Sequence, residues 1–289
     1  MPLVQIDLIQ GKSVTHNTAP TQFVEDNGLR YAYRTLGPST GTPLVFCHRF
    51  RGTMDDWDPA VIDAIAAERP VILFDNAGIG LSTGETPDSV KGMADKAAEF
   101  IRLLGFTQVD LLGFSLGGYV AQTVTLNYPD LVRRLVLAGT GPGGGEGIVV
   151  AGPEIRQVSW RPILGLEEYL FLLFSPSEES RAAAHRCWER VNSRPDREPA
   201  VSEATIKAQV TALIAWSQGN GSAFPRLGEI KQPVLVANGN NDVMVPTINS
   251  YTMAQKIKDA TLIVYPDSGH GFLFQYPETF SRHVLVFLK

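Results

Sequence analysis

The chain is poor in the features that mark secreted, metal-bound or nucleic-acid-binding proteins. It has two cysteines, Cys47 and Cys187, so at most one disulfide is available. No CxxC or HExxH spacing occurs, and the five histidines are scattered, so no metal site is expected. Charged residues make up 19 % of the sequence against 44 % apolar, with a formal net charge of −5. No Lys/Arg-rich stretch offers a footprint for nucleic acid. The longest strongly apolar run, YLFLLF, falls far short of the roughly 20 residues that span a bilayer. The N-terminal MPLVQIDLIQGKSVTHNTAP lacks a basic segment followed by an apolar one, so no secretory signal is expected and both thiols should stay reduced. What remains is a cytoplasmic globular protein with a small molecule as its partner, acting as a monomer or a homodimer. The 289 residues suffice for one large domain or one domain with an insertion.

What is present is an alternation of strand and helix patterns, the mark of a mostly parallel sheet covered by helices on both faces. TQFVED and LRYAYRTLG read as an opening hairpin turned at Asn27-Gly28. PLVFCH, PVILFD, VDLLGF and RLVLAG read as buried strands. DDWDPAVIDAIAAE and DSVKGMADKAAEFIRLL fall between them as helices, the second by the spacing of Val90, Met93, Ala97, Phe100, Ile101 and Leu104. PVLVANG, INSYTMAQKIK, TLIVYP and FQYPETFSRHVLVFL complete the series as strand, helix, strand, helix. Before PVLVANG the pattern breaks. GTGPGGGEG at Gly139–Gly147 cannot be regular structure and reads as a hinge, since it lacks the Lys-Ser/Thr ending of a phosphate loop. From there to about Phe224 only helical patterns occur. The expected organisation is a core domain of residues 1–140 and 226–289, with an all-helical cap at 141–225 inserted after the sixth strand. Ligands of open α/β sheets bind at the carboxyl edge that such a cap would cover.

The chemistry centres on Gly113-Phe114-Ser115-Leu116-Gly117-Gly118. A G-x-S-x-G alone says little. Here it leaves a buried strand and opens a helix at once, the setting of a nucleophile elbow, in which a strained turn projects the serine Oγ from the sheet edge. The alternative is a serine helix cap with glycine padding. A serine needs a base. His270, just past TLIVYP, lies at the same sheet edge. His16, His185 and His283 lie elsewhere, and His48, which ends a strand and could approach the site, reads as a structural hydrogen-bonding residue. The imidazole in turn needs a carboxylate to fix its tautomer. Asp242 follows the strand PVLVANG, whereas Asp267 is close enough to His270 to shape its loop instead. Catalytic candidates are therefore Ser115, His270 and Asp242, in the order Ser, Asp, His.

With these motifs and with FDNAGIGLS, similar to a D-x-[RP]-G-x-G-x-S turn, the sequence resembles the α/β-hydrolase fold superfamily over about Thr21 to Leu288. It is like the capped serine hydrolases among them: esterases, lactonases, cofactor-free perhydrolases and carbon–carbon hydrolases. The resemblance implies an α/β-hydrolase fold, no cofactor, and an oxyanion hole made by the backbone N–H of Leu116 and of Phe50, the latter in HRFRG where the family has His-Gly-x-x-Gly. Arg49 replaces the usual glycine, so a positive φ at that position would require a rebuilt loop. Arg49 and Arg51 stand either as ligands for a substrate carboxylate or as partners of Asp55, Asp56 or Asp58. Tyr169, Phe171 and Phe174 in the cap are candidates for an apolar substrate pocket. The expected activity is cleavage of a carboxylic ester or lactone of a small, largely hydrophobic substrate through an acyl-enzyme. A perhydrolase or haloperoxidase, a carbon–carbon hydrolase, and a hydrolase-fold small-molecule receptor or signalling regulator are the alternatives.

Overall fold

A computed structural model of the chain describes residues 14–161 and 164–289. The start of the segment in which no secretory signal is expected, residues 1–13, lies outside the described residues. Among the described residues eight strands form one sheet in the order β1-β2-β4-β3-β5-β6-β7-β8. They are β1 (Gln22–Asp26), β2 (Leu29–Leu36), β3 (Leu44–Cys47), β4 (Val71–Phe74), β5 (Val109–Phe114), β6 (Val132–Ala138), β7 (Val234–Gly239) and β8 (Ala260–Tyr265). β1 and β2 pair antiparallel, as do β2 and β4, and the remaining pairs are parallel. The opening hairpin turns on Asn27 and Gly28, at φ 49° and 81°. Two positive φ values in a two-residue loop make a type I′ turn, whose twist matches that of the flanking strands.

Of the central strands, every residue of β3, β4, β5 and β7 is buried. That is why they read as continuous apolar runs without alternation. The two-residue period reappears in the packing: Leu112, Phe114, Val136 and Ala138 face one core, Leu111, Leu135 and Leu137 the other. The first core is closed by α1 (Pro59–Ala66), α9 (Phe272–Gln275) and α10 (Pro277–Phe287), the second by α2 (Val90–Leu103), α3 (Leu116–Asn127) and α8 (Ile248–Lys256).

Among the described residues four α-helices lie between β6 and β7: α4 (Pro153–Ser159), α5 (Leu166–Leu173), α6 (Glu178–Val191) and α7 (Glu203–Ser217). They divide between the two cores. Ile155, Tyr169, Leu173 and Cys187 join the first, Ala212 and Trp216 the second. Regular structure is absent from Gly139–Gly147, but the glycines there answer to close packing. A Cβ on Gly145 would collide with the Phe224 ring, and one on Gly144 with the Ser217 carbonyl. Both cysteines are buried free thiols. Among the described residues no helix is long and apolar enough to cross a membrane.

Candidate active site

The elbow is built by steric exclusion around Ser115. A Cβ on Gly113 would collide with the Gly117 carbonyl, one on Gly117 with the Cys47 carbonyl, and one on Gly118 with the Thr140 side chain. Only glycines let β5, α3 and β3 approach this closely, and the serine between them is forced to φ 56°, ψ −120°. That conformation lies outside the allowed regions for an L-residue and costs on the order of 1–3 kcal/mol. Ser115 occupies the N-cap position of α3, yet its hydroxyl makes no capping hydrogen bond. The serine-cap alternative therefore fails on geometry, since a capping serine has extended backbone and bonds a first-turn amide. The turn is held by Ser115 N–H donating to Ala138 O and by Thr140 Oγ1 donating to Ser115 O.

His270 and Asp242 are brought together from the ends of β8 and β7. Nδ1 of His270 lies 2.8 Å from Asp242 Oδ2. The other carboxylate oxygen accepts from Met244 N–H and Val245 N–H, both at 2.8 Å, so the aspartate is fixed before it meets the ring. A carboxylate on Nδ1 demands the tautomer with its proton there, which leaves Nε2 as the free base. That Nε2 is buried and makes no hydrogen bond among the described residues, Ser115 included. The ring lies against the elbow: its centroid is 4.9 Å from that of Phe114, and a Cβ on Gly139, next to the Ala138 that holds Ser115, would come within 3.2 Å of Nδ1. Behind the histidine, Gly271 N–H donates to Leu173 O at the end of α5, at 2.6 Å. Asp267, at φ 44°, accepts from Ser177 Oγ, so it shapes the loop and leaves the imidazole to Asp242.

The second candidate for oxyanion donation is the Arg49–Gly52 turn. Gly52 N–H donates to Arg49 O at 3.0 Å, and the residue at positive φ is Arg51, at 60°, not Arg49. The concern about a side chain at position 49 therefore falls away, because the left-handed position is two residues on. A positive φ confined to the third residue makes this a type II turn. Phe50 N–H meets no acceptor among the described residues, whereas Arg51 N–H is taken by Gln209 Oε1 at 2.9 Å. Arg49 pairs with Asp56 at 3.1 Å, and Arg51 Nη1 donates to Arg161 O. Beside this turn a cleft is lined by His48, Arg49, Phe74, Ile79, Met93, Leu116, Val120 and Gln209, among others.

A family model described as the alpha/beta hydrolase fold matches residues 42–157 and 168–277. The chain belongs to this family. A solved alpha/beta hydrolase fold protein from Chitinophaga pinensis superimposes with a TM-score of 0.87 at 39 % identity, covering 95 % of this chain and 99 % of that one. The poly(3-hydroxyalkanoate) depolymerase of Ectopseudomonas oleovorans is 27 % identical over 268 residues, 92 % of this chain and 90 % of its own. A 2-hydroxy-6-oxo-6-phenylhexa-2,4-dienoate hydrolase of Burkholderia cepacia is 27 % identical over 78 % of each chain. These relatives are hydrolases of one fold with different substrates, so the fold alone does not fix the substrate here.

In this hydrolase the remaining pocket candidates lie away from the cleft beside Leu116. Tyr169 is packed against Trp188 and Phe174, with its hydroxyl 3.1 Å from Cys187 Sγ. Phe171 is 49 % exposed, and Phe174 is buried beside Gly271. None of the three lines the cleft next to Leu116. His16 is buried on Met54 O, and His283 faces the Tyr265 hydroxyl. His48 accepts from Trp57 Nε1 at 2.7 Å, and burial pushes its pKa down to about 4, so it stays neutral. Sequence reasoning missed Gln209, which sits in an ordinary helical pattern without motif. It also missed the buried carboxyl pair of Asp75, after β4, and Glu198, between α6 and α7. Glu198 Oε1 accepts from the buried Arg34, and its Oε2 meets no donor among the described residues.

Proposed function

We propose that the protein is a serine hydrolase that cleaves a carboxylic ester or lactone through an acyl-enzyme. The observation that carries this is His270: one ring nitrogen is anchored on Asp242, and the ring packs against Phe114 of the strained Ser115 elbow. In the proposed cycle Nε2 takes the Ser115 proton as Oγ attacks the substrate carbonyl. Negative charge collects on the carbonyl oxygen, facing the N–H of Leu116 at the positive end of α3 and the N–H of Phe50. Asp242 stabilises the imidazolium. The imidazolium then protonates the leaving alkoxide, breaking the ester bond, and the same nitrogen later deprotonates the water that releases the acid. Every step uses groups of the chain and water.

Phe74, Ile79, Met93 and Val120 line the small cleft next to Leu116 alongside the polar His48, Asn76 and Gln209, and such a setting suits the hydrophobic end of a small acyl compound. Helices α4–α7 serve as the cap, the unit expected at residues 141–225, and their contacts at Gly271 and Arg51 support that role. The test is a panel of p-nitrophenyl esters of rising acyl length, with lactones alongside, run on the native protein and on Ser115→Ala. Turnover of at least one class by the native protein, falling by about three orders of magnitude or more in the variant, is expected. Native-like esterase activity in Ser115→Ala overturns the assignment.

A further inference from the structure

The Arg49–Gly52 turn meets the helical insertion through the bond from Arg51 N–H to Gln209 Oε1. Gln209 is 1 % exposed and lines the same cleft as Leu116 and His48. Because the donor is a backbone amide, the side-chain oxygen must face it, which fixes the orientation of the carboxamide.

Two features of the turn give this bond a consequence. Arg51 is held at φ 60°, a conformation that favours glycine over any residue with a side chain. A type II turn converts to type I by rotating its central peptide through about half a revolution, which brings the third residue back to negative φ. Here that peptide joins Phe50 to Arg51. Left to its own preferences the arginine favours the rotated form. Rotation would exchange N–H for C=O on the face that meets Gln209, aiming a carbonyl oxygen toward the side where the oxyanion is to be stabilised. The opposite edge of the peptide is tied as well, since Arg49 Nη1 donates to Phe50 O at 3.0 Å while its Nη2 holds Asp56.

We propose that Gln209 is the positioning residue of the oxyanion turn: from α7, its side-chain oxygen locks the Phe50–Arg51 peptide in the orientation that keeps the Phe50 carbonyl turned away from the cleft, leaving Phe50 N–H free to face the oxyanion. The inference rests on the serine-hydrolase reading above and assigns to the inserted helices a part in transition-state stabilisation.

The experiment compares the native protein with Gln209→Leu, of similar size but without an acceptor, and with Gln209→Leu combined with Arg51→Gly. The readouts are kcat and KM on p-nitrophenyl acetate and the second-order rate of labelling by a fluorophosphonate. Gln209→Leu is expected to lower kcat and the labelling rate about tenfold or more, with KM within about twofold, a smaller loss than the 10²–10³ typical of deleting a donor outright. Glycine at position 51 holds positive φ without strain, so the double variant should recover most of the loss. A purely structural role for Gln209 in α7 packing would not be rescued this way. An unchanged kcat in Gln209→Leu, or a loss that Arg51→Gly leaves in place, overturns the proposal while the serine mechanism stands. Activity surviving in Ser115→Ala, or a native protein inert to both probes, removes the mechanism and this inference with it. Should the leucine variant fail to fold, Gln209→Met supplies the same comparison.

Discussion

At the scale of single residues, Asp242 shows how a carboxylate can be specified atom by atom. Oδ1 accepts two backbone amides, and Oδ2 faces His270 Nδ1. Asp242→Asn keeps the first pair of bonds, since the amide oxygen takes the place of Oδ1. The amide nitrogen then faces Nδ1 and forces the ring into the tautomer whose proton sits on Nε2, where the base is needed. The variant should fold with a native melting temperature and lose about three to four orders of magnitude in kcat, read with whichever ester the native protein turns over. A loss below tenfold would show that the pair has no part in the chemistry. Ser115, His270 and Asp242 were legible as candidates because each stands in the loop or turn at the carboxyl end of a strand, and strand ends at one sheet edge converge. Gln209 was not legible: its partner is a backbone amide 158 residues away, and no local pattern reports such a contact.

At the scale of elements, β3 and α3 touch where Gly117 has no side chain. Gly117→Ala would push a methyl into the Cys47 carbonyl, and backbone on both sides leaves little room to relax. The expected cost is about 2–4 kcal/mol, seen as a melting temperature lower by roughly 5 °C or more. Activity should fall as well, since Leu116 moves with the turn. Gly105→Ala is the control, because φ is 84° there but nothing lies within 4 Å of the new methyl. It should cost about 1 kcal/mol and leave activity alone. If both variants melt alike, crowding at the elbow is not what selects glycine. Most elements were readable because buried strands leave unbroken apolar runs and the longer helices leave periodic ones. α4 was not, since PEIRQVS is too short to show a period. The last helical pattern is two helices, α9 and α10, divided at Tyr276 because Pro277 bars that residue from helical geometry and starts a new first turn.

At the scale of the whole molecule, the inserted helices are fastened to the core by charge as well as by apolar packing. Glu198 sits among groups from several elements: Arg34 of β2 on its Oε1, Asp55 accepting from its backbone N–H, and Asp75 beyond Gly80. Arg194 lies 3.6 Å from Asp55, and the neutral His48 the same distance from Asp75. A Cβ on Gly80 would lie 2.6 Å from Glu198 Oε2 and closer still to Asp75 Oδ2, so the two oxygens crowd one point. Two carboxylates there would repel, and as an anion Glu198 Oε2 finds no donor. A shared proton resolves both problems, with Oε2–H donating to Asp75. Burial first, and then the neighbouring Asp75, push Glu198 from its ordinary value of 4.5 up to about 9. Asp75 moves in the same direction, chiefly through burial. A carboxyl whose pKa is raised by folding binds its proton more tightly in the native state. The stabilisation is therefore complete below the ordinary glutamate range and is lost as pH rises through about 9. Glu198→Gln makes the protonated arrangement permanent, its oxygen accepting from Arg34 and its amide nitrogen donating to Asp75. Thermal melts at pH 4.5 and pH 9.5 check this. The variant should match the native protein within about 1 kcal/mol in acid and exceed it by about 1–2 kcal/mol in alkali, a difference of a few degrees. A gap that is the same at both pH values would mean that no proton joins the α6–α7 connection to the sheet.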